Sequence, residues 1–363
     1  MSDDERTHLP HPEDGSCSCQ SDSIPQERQS AMESEPLIWF VSMMTLLLSL
    51  IFISYYRADS KVSNFVVFFL AIVVDAMPFI ALGCFLSGAI EVFVPAERIT
   101  RALAGRSGPL AGALLGMVLP VCECGIIPVV RRFMSKGVSP GASVAFMLAA
   151  PTINPLVIAS TAVAFAWDWR FYVGRFAGGL LIAVLVGWLF GRTFKGNSGV
   201  KESSEGAACT TSDCGHQHGV DYSGLTVRRR LIAVVGFAAS DFFSVGRYLV
   251  LGAFVAAFLK AFVNWDSLYS VDANTWLGPL ALMLLAFVLN LCSEADAFVA
   301  ASFQSFAYPA KMAFLWLGPM LDIKLVAMFA WLFRHKAIAF LIVAIATAVY
   351  ALALAVSAVG GAL

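Results

Sequence analysis

Long apolar blocks separated by short polar stretches dominate this 363-residue chain. An apolar run of about 18 residues or more is a transmembrane candidate, because about 20 helical residues cross the hydrocarbon core. That rule predicts segments at 37–56, 64–94, 108–130, 139–166, 171–190, 231–263, 276–302, 309–333 and 337–359. The segments at 64–94 and 231–263 exceed one straight crossing, so they must tilt, kink or extend beyond the bilayer. Two consecutive blocks carry breakers. The stretch Leu119 to Pro155, LPVCECGIIPVVRRFMSKGVSPGASVAFMLAAPTINP, is broken first at Pro120, Gly125 and Pro128 and again at Pro151-Thr152-Ile153-Asn154-Pro155. Non-helical backbone at membrane depth must be buried in protein or line a cavity, since lipid satisfies no N–H or C=O group. Broken segments that also carry polar side chains therefore point to a substrate pathway.

The pattern recurs. Gly108-Pro109-Leu110-Ala111 is echoed by Gly278-Pro279-Leu280-Ala281, and in the same register Cys122 falls on Cys292, with Glu294 and Asp296 just beyond. With a small gap, Pro151-Thr152-Ile153-Asn154 aligns with Pro319-Met320-Leu321-Asp322 and sets Asn154 opposite Asp322. Interrupted segments in corresponding places of two halves are the best sequence pointer to a transporter's binding site. Lys and Arg in short loops stay cytoplasmic. If all nine segments cross, Arg98, Arg101 and Arg106 face away from Arg131, Arg132 and Lys136; if 108–130 and 276–302 re-enter, most basic loop residues share one side. The fold expected is an all-α polytopic membrane protein of two inverted repeats, each with three crossings and a broken or re-entrant helical hairpin. Residues 1–36 form a disordered cytoplasmic tail, 37–190 an extra helix plus the first repeat, 191–230 a cytoplasmic linker and 231–363 the second repeat.

Composition agrees with this reading. Hydrophobic residues make up 59% of the chain and charged residues 13%, against about 25% charged in soluble domains. A net charge of -1 gives no reason to expect a nucleic-acid partner. The tail is polar and acidic without an apolar core, so it is not a cleavable signal peptide.

Charges inside apolar segments cost about 2.5–3.5 kcal/mol each at a helix centre and by default mark pathways or proton relays. Asp75, Glu123, Asp241, Glu294, Asp296, Asp322 and Lys324 lie in such positions, and Asp322 and Lys324 are placed to neutralise one another. Cys122 and Cys124 flank Glu123 at a break, where both thiols can face one ligand. Thiolate ligands suit Cu(I), Zn and similar thiophilic species, and Glu123 supplies a charge, a proton site or a third ligand. Asn154 and Thr152 either cap freed backbone or touch substrate. Arg131 and Arg132 are most simply topology anchors. In the linker, Cys209, Cys214, His216 and His218 bring four nitrogen and sulfur ligands within ten residues, a composition suited to Zn or Cu, with a sparser echo at His8, His11, Cys17 and Cys19. The candidate pathway is thus Cys122, Glu123, Cys124, Gly125, Thr152, Asn154, Cys292, Glu294, Asp296 and Asp322.

The segment LPVCECGIIPVVRRFMSKGVSPGASVAFMLAAPTINPLV resembles the signature of bacterial predicted permeases of the YraQ and ArsP type, and the resemblance covers roughly residues 60–360. It implies inner-membrane transport. One branch exports trivalent organoarsenicals, a related one is associated with copper and zinc efflux, and some members stand beside a second small membrane protein. Mapped by motif, Cys122, Cys124 and Asn154 fall in the pathway. No GxxxxGK[ST] occurs, so energy coupling is expected from protons or membrane potential, with Glu123, Glu294 and Asp296 as proton carriers. The expected activity is efflux of a metal or metalloid across the lipid bilayer, without a cofactor and without enzymatic chemistry. The competing readings are a membrane thiol oxidoreductase using Cys122 and Cys124, and a subunit of a two-component permease complex.

Overall fold

A computed structural model describes residues 60–103, 105, 107–119, 121–194, 199–200, 226–262 and 276–360. The expected span at 37–56, the tail with His8, His11, Cys17 and Cys19, and the linker ligands Cys209, Cys214, His216 and His218 lie outside the described residues. The fold is all helical; among the described residues the only extended pairing is an isolated bridge between Val200 and Phe333.

The first half opens with α1 (Ser60–Phe93) and the short α2 (Ala96–Ala102). It continues with α3 (Gly108–Val118), α4 (Glu123–Ser135), α5 (Pro140–Ile153), α6 (Pro155–Ala164) and α7 (Trp169–Thr193). The second half has α8 (Val227–Phe262), α9 (Leu277–Leu289), α10 (Asp296–Ser302), α11 (Tyr308–Met320), α12 (Ile323–Leu332) and α13 (His335–Gly360). Apart from α2, each half runs in one order: a long helix, a pair of short helices, a crossing broken in two, and a closing helix. The breaks fall on the motifs. The α3 helix ends before Leu119 and α4 starts at Glu123, and α9 ends at Asn290 and α10 starts at Asp296. The PTINP motif separates α5 from α6, and Leu321-Asp322 separates α11 from α12.

Among the described residues, six helical stretches are long and apolar enough to cross a membrane: Lys61–Phe93, Pro140–Ala164, Trp169–Thr193, Val227–Phe262, Tyr308–Leu332 and His335–Ala358. The helices α3 and α9 have 11 and 13 residues. At 1.5 Å per residue each reaches only about 16–20 Å, short of a core about 30 Å thick. The long helices α1 and α8 are each continuous despite 34 and 36 residues, so their surplus length is taken up without a break.

Burial is inside-out relative to a soluble protein. Val67, Val74, Leu82, Val163, Leu181, Leu251 and Val343 are exposed on the outer faces, whereas Glu123, Arg175, Asp241, Asp296, Asp322 and Lys324 are buried. This is the order expected where lipid is the solvent and charges must find one another inside. The two broken crossings are the central ones. Their apolar windows are 78% and 83% buried, against 33% to 44% for the other four.

Candidate functional site

The site is built where three breaks meet. Cys122 is the N-cap residue of α4 (φ -74°, ψ 171°), and its side chain makes no cap hydrogen bond. Glu123 and Cys124 occupy the first turn, where the helix's free N–H groups favour an acidic side chain. Cys122, Glu123 and Cys124 are all buried, and the two thiols stand one residue apart at the start of the helix. This turn can sit deep because of glycine. A Cβ on Gly125 would stand 2.7 Å from the Phe79 carbonyl oxygen, and one on Gly83 of α1 would collide with the Gly125 backbone. The two backbones therefore touch, as small residues permit between membrane helices.

From the other half comes Lys324, on the first turn of α12. Its ammonium donates to Glu123 Oε1 at 3.0 Å and lies 3.4 Å from Asp322 Oδ2. Gly252 of α8 allows this approach, since a Cβ there would meet Lys324 Cα at 2.7 Å. Asp322 is the N-cap of α12 and accepts from the Leu325 amide at 2.7 Å. Asn290, which ends α9 in the left-handed region (φ 54°), also turns toward Asp322. Oriented with its nitrogen toward the carboxylate, it donates to Oδ1 at 3.1 Å and Oδ2 at 2.7 Å. Asp322 is thus well supplied with donors. Glu123 is not: its Oε2 is buried and has no hydrogen-bond partner among the described residues.

The start of α10 is anchored by a residue not singled out from sequence. Arg175 of α7, fully buried, donates from both terminal nitrogens to Asp296 at 2.8 Å each. It also donates to Thr161 Oγ1 at 3.0 Å and to the Ser293 carbonyl at 3.2 Å. Nearby, the Cys292 thiol and the Ser293 hydroxyl donate to Glu294 Oε2. The signal for Arg175 was its position: an arginine inside an apolar span needs a buried partner.

Of the residues expected in the pathway, Glu123 lies within electrostatic reach of Cys124, Cys292, Asp296 and Asp322. Thr152 and Asn154 bond to their own backbone. Thr152 donates to the Leu148 carbonyl, and Asn154 accepts from the Val157 amide while donating to the Ala150 carbonyl. Asn154 and Asp322, aligned by sequence, are indeed both N-caps after a break. Arg131 and Arg132 are more than surface anchors. Arg132 donates to Asp241 at 3.1 Å and 3.2 Å, Ser87 donates to the same carboxylate at 2.8 Å, and Arg131 lies over Trp331. Lys324 pairs with Asp322 at 3.4 Å, the local neutralisation expected, and more closely with Glu123, across 201 residues, at 3.0 Å. Asp75, by contrast, is exposed on α1.

Among the described residues no three His, Cys, Asp or Glu side chains are gathered closely enough to hold a metal ion, and Cys84, Cys122, Cys124 and Cys292 are free thiols. The site offers soft sulfur, an open carboxylate oxygen and an ammonium, all at the meeting of broken helices.

A helical bundle with ionisable groups buried at breaks in its central crossings is a multi-pass membrane protein. The chain belongs to the ArsP_1 family of predicted permeases, which it matches over residues 61–358. It is 41% identical to the UPF0718 protein YcgR of Bacillus subtilis over 288 residues, covering 78% of this chain and 93% of that protein. It is 38% identical over 282 residues to a putative two-component membrane permease complex subunit of Streptococcus mutans, covering 76% of this chain and 89% of that one. A shorter match, 31% over 111 residues, is to the UPF0718 protein YraQ of Escherichia coli, covering 30% and 31% of the two chains. No solved structure matches.

Proposed function

We propose that this permease exports a thiophilic metal or metalloid species, a trivalent organoarsenical or a Zn or Cu ion, driven by protons or by the membrane potential. The observation that carries the reading is the buried Cys122-Glu123-Cys124 turn, two free thiols around a carboxylate with one unpartnered oxygen. Soft ligands select soft species, and a ligand set short of a complete coordination shell suits a carrier that must also release. Cells producing the protein gain resistance to methylarsenite, Zn or Cu, and everted vesicles accumulate the same species. Cys122→Ser or Cys124→Ser removes both effects; resistance unchanged in the two single variants and in the double variant rules the thiol mechanism out.

The similarity to the Streptococcus mutans protein favours one further reading, that the chain works with a second membrane subunit. Purification from its native host as an obligate hetero-complex, inactive when separated, is the expected result; full transport by the chain alone in liposomes contradicts it.

A further inference from the structure

The buried carboxylates of the long and broken helices each have a cation. Glu123 and Asp322 share Lys324, Asp296 has Arg175 and Asp241 has Arg132. Asp75 breaks that rule. It lies in α1 near the middle of the run between Asn64 and Glu91, which holds no other charge, and it is exposed on the outer face of the helix. Among the described residues it has no hydrogen-bond or ion-pair partner. A carboxylate facing lipid at that depth is costly, and such residues are normally paired. A cation at a similar level lies on the neighbouring helix. The helices α1 and α8 run antiparallel, since Phe65 and Phe69 touch Phe254 while Ser87 bonds to Asp241. Asp75 falls between those contacts on α1, and Arg247 falls between them on α8. Arg247 is exposed too; its guanidinium lies over the Tyr248 ring, and among the described residues no carboxylate meets it. Beside it, a Cβ on Gly246 would meet nothing within 4 Å, so the backbone there is open to a second helix, as small residues permit in membranes.

We propose that the outer face of α1 and α8 is the interface with a second copy of this chain in the membrane, Asp75 of each copy pairing with Arg247 of the other. A two-fold axis along the membrane normal brings equal depths together and makes the contact reciprocal. The four charges are then matched at once. The apolar residues around them, Val74 and Leu82 on α1 and Leu251 and Phe254 on α8, are exposed and suit lipid as well as protein, so the ion pairs select the partner. Residues 37–56 of the chain hold no Lys, Arg or His and supply no counter-charge for Asp75. A different membrane subunit would have to bring both a cation for Asp75 and an acid for Arg247, whereas a second copy brings both by symmetry. The inference is independent of the transported species.

The test uses the full-length protein in liposomes, as donor-labelled and acceptor-labelled copies whose energy transfer is followed while lipid is added. Wild type associates as a dimer. Asp75→Asn and Arg247→Gln each weaken the dimer about tenfold or more, because each removes both interhelical pairs. Donor-labelled Asp75→Asn mixed with acceptor-labelled Arg247→Gln recovers part of the loss, since one copy keeps Arg247, the other keeps Asp75, and one pair forms between them. A mixture as weak as either variant alone shows that the two residues do not pair between copies and overturns the proposal. So does a wild type that is monomeric at every dilution, or a dimer that neither substitution weakens. Should a variant not fold, a photocrosslinker at Ala71, one turn from Asp75 on the same exposed face, decides in native membranes. Ala71→benzoylphenylalanine is expected to crosslink to a second copy; crosslinking to a different membrane protein instead overturns the homodimer.

Discussion

In the two pairs of short helices, α3–α4 and α9–α10, the second helix begins with a buried acidic residue held by a cation from the other half, yet the two ion pairs are built differently. Asp296 meets Arg175 through two parallel bonds of 2.8 Å, and the guanidinium is further tied to Thr161 and to the Ser293 carbonyl. Glu123 meets Lys324 through one bond of 3.0 Å and keeps an unpartnered oxygen. Bidentate arginine pairs add geometric specificity, whereas lysine acts as a point charge. The difference teaches that one hairpin is clamped and the other is left exchangeable. The exchangeable one carries the paired thiols. On the proposed export reading, Glu123 is then a better candidate for carrying charge than Asp296, both of whose oxygens accept from Arg175.

Breaking the clamp has the largest expected effect. Arg175→Met leaves the Asp296 carboxylate buried without a counter-charge, and removing one partner of such a pair costs about 3–5 kcal/mol. Thermal unfolding of the purified protein in detergent should show a large drop in midpoint. The double variant Arg175→Met, Asp296→Leu should recover most of it, because an apolar pair of similar volume is often neutral. A single variant as stable as wild type would show that the clamp is not what fixes the second hairpin.

Breaking the exchangeable pair is expected to cost less stability and more function. Glu123→Gln removes a charge-assisted bond worth about 1.5–3 kcal/mol, but Lys324 keeps Asp322 as acceptor. The unfolding midpoint therefore falls less than in Arg175→Met, while metal resistance and vesicle uptake are lost. Equal destabilisation by the two changes, with uptake retained in Glu123→Gln, removes the contrast between clamp and exchangeable pair.

How much of this was visible in the chain follows from the range of each signal. Local signals carried the architecture. Apolar runs located the crossings, and the Pro, Gly and Asn residues at 119–125, 151–155 and 319–322 located the breaks, because backbone geometry depends on neighbours in sequence. The acidic residues of the site were also visible, since a carboxylate in an apolar segment stands out. Of their partners only the local one, Lys324 beside Asp322, was visible. Glu123 finds Lys324 201 residues away, and Asp296 finds Arg175 121 residues away, so only the packing of the two halves reveals which cation serves which acid. The same holds for Asp241 with Arg132, read from sequence as an unrelated membrane charge and a loop anchor. Asn290 was passed over because its left-handed turn and its bond to Asp322 leave no trace in hydropathy.

The position of the exchangeable hairpin offers a subtler lever. Gly125→Ala drives a methyl into the Phe79 carbonyl, and overpacking of this kind costs about 1–3 kcal/mol. The backbone, unlike a side chain tip, has little freedom to yield, so α4 should shift away from α1 and carry Glu123 with it. Stability falls modestly, and metal affinity falls further than stability alone explains. The equivalent measurement on Gly105, where a Cβ meets nothing within 4 Å, serves as the control for the added methyl, though its φ of +88° adds local strain.

The smallest expected effects come from the caps, and they separate the two breaks most cleanly. Asn154 and Asp322 do the same structural task, each accepting from the amide three residues on, at 2.9 Å and 2.7 Å. Asn154→Ala loses that bond and should cost about 1 kcal/mol, as N-cap removals do. Asp322→Asn keeps a good N-cap residue and should change stability less than that. The two differ in what else they touch: among the described residues Asn154 bonds within its own broken helix, whereas Asp322 is the second acceptor of Lys324. Asp322→Asn removes one of the two carboxylates that face Lys324 and lowers vesicle uptake, although the fold is the less disturbed of the two. If the cap is the whole role of Asp322, Asn154→Ala is the more damaging change in both stability and uptake.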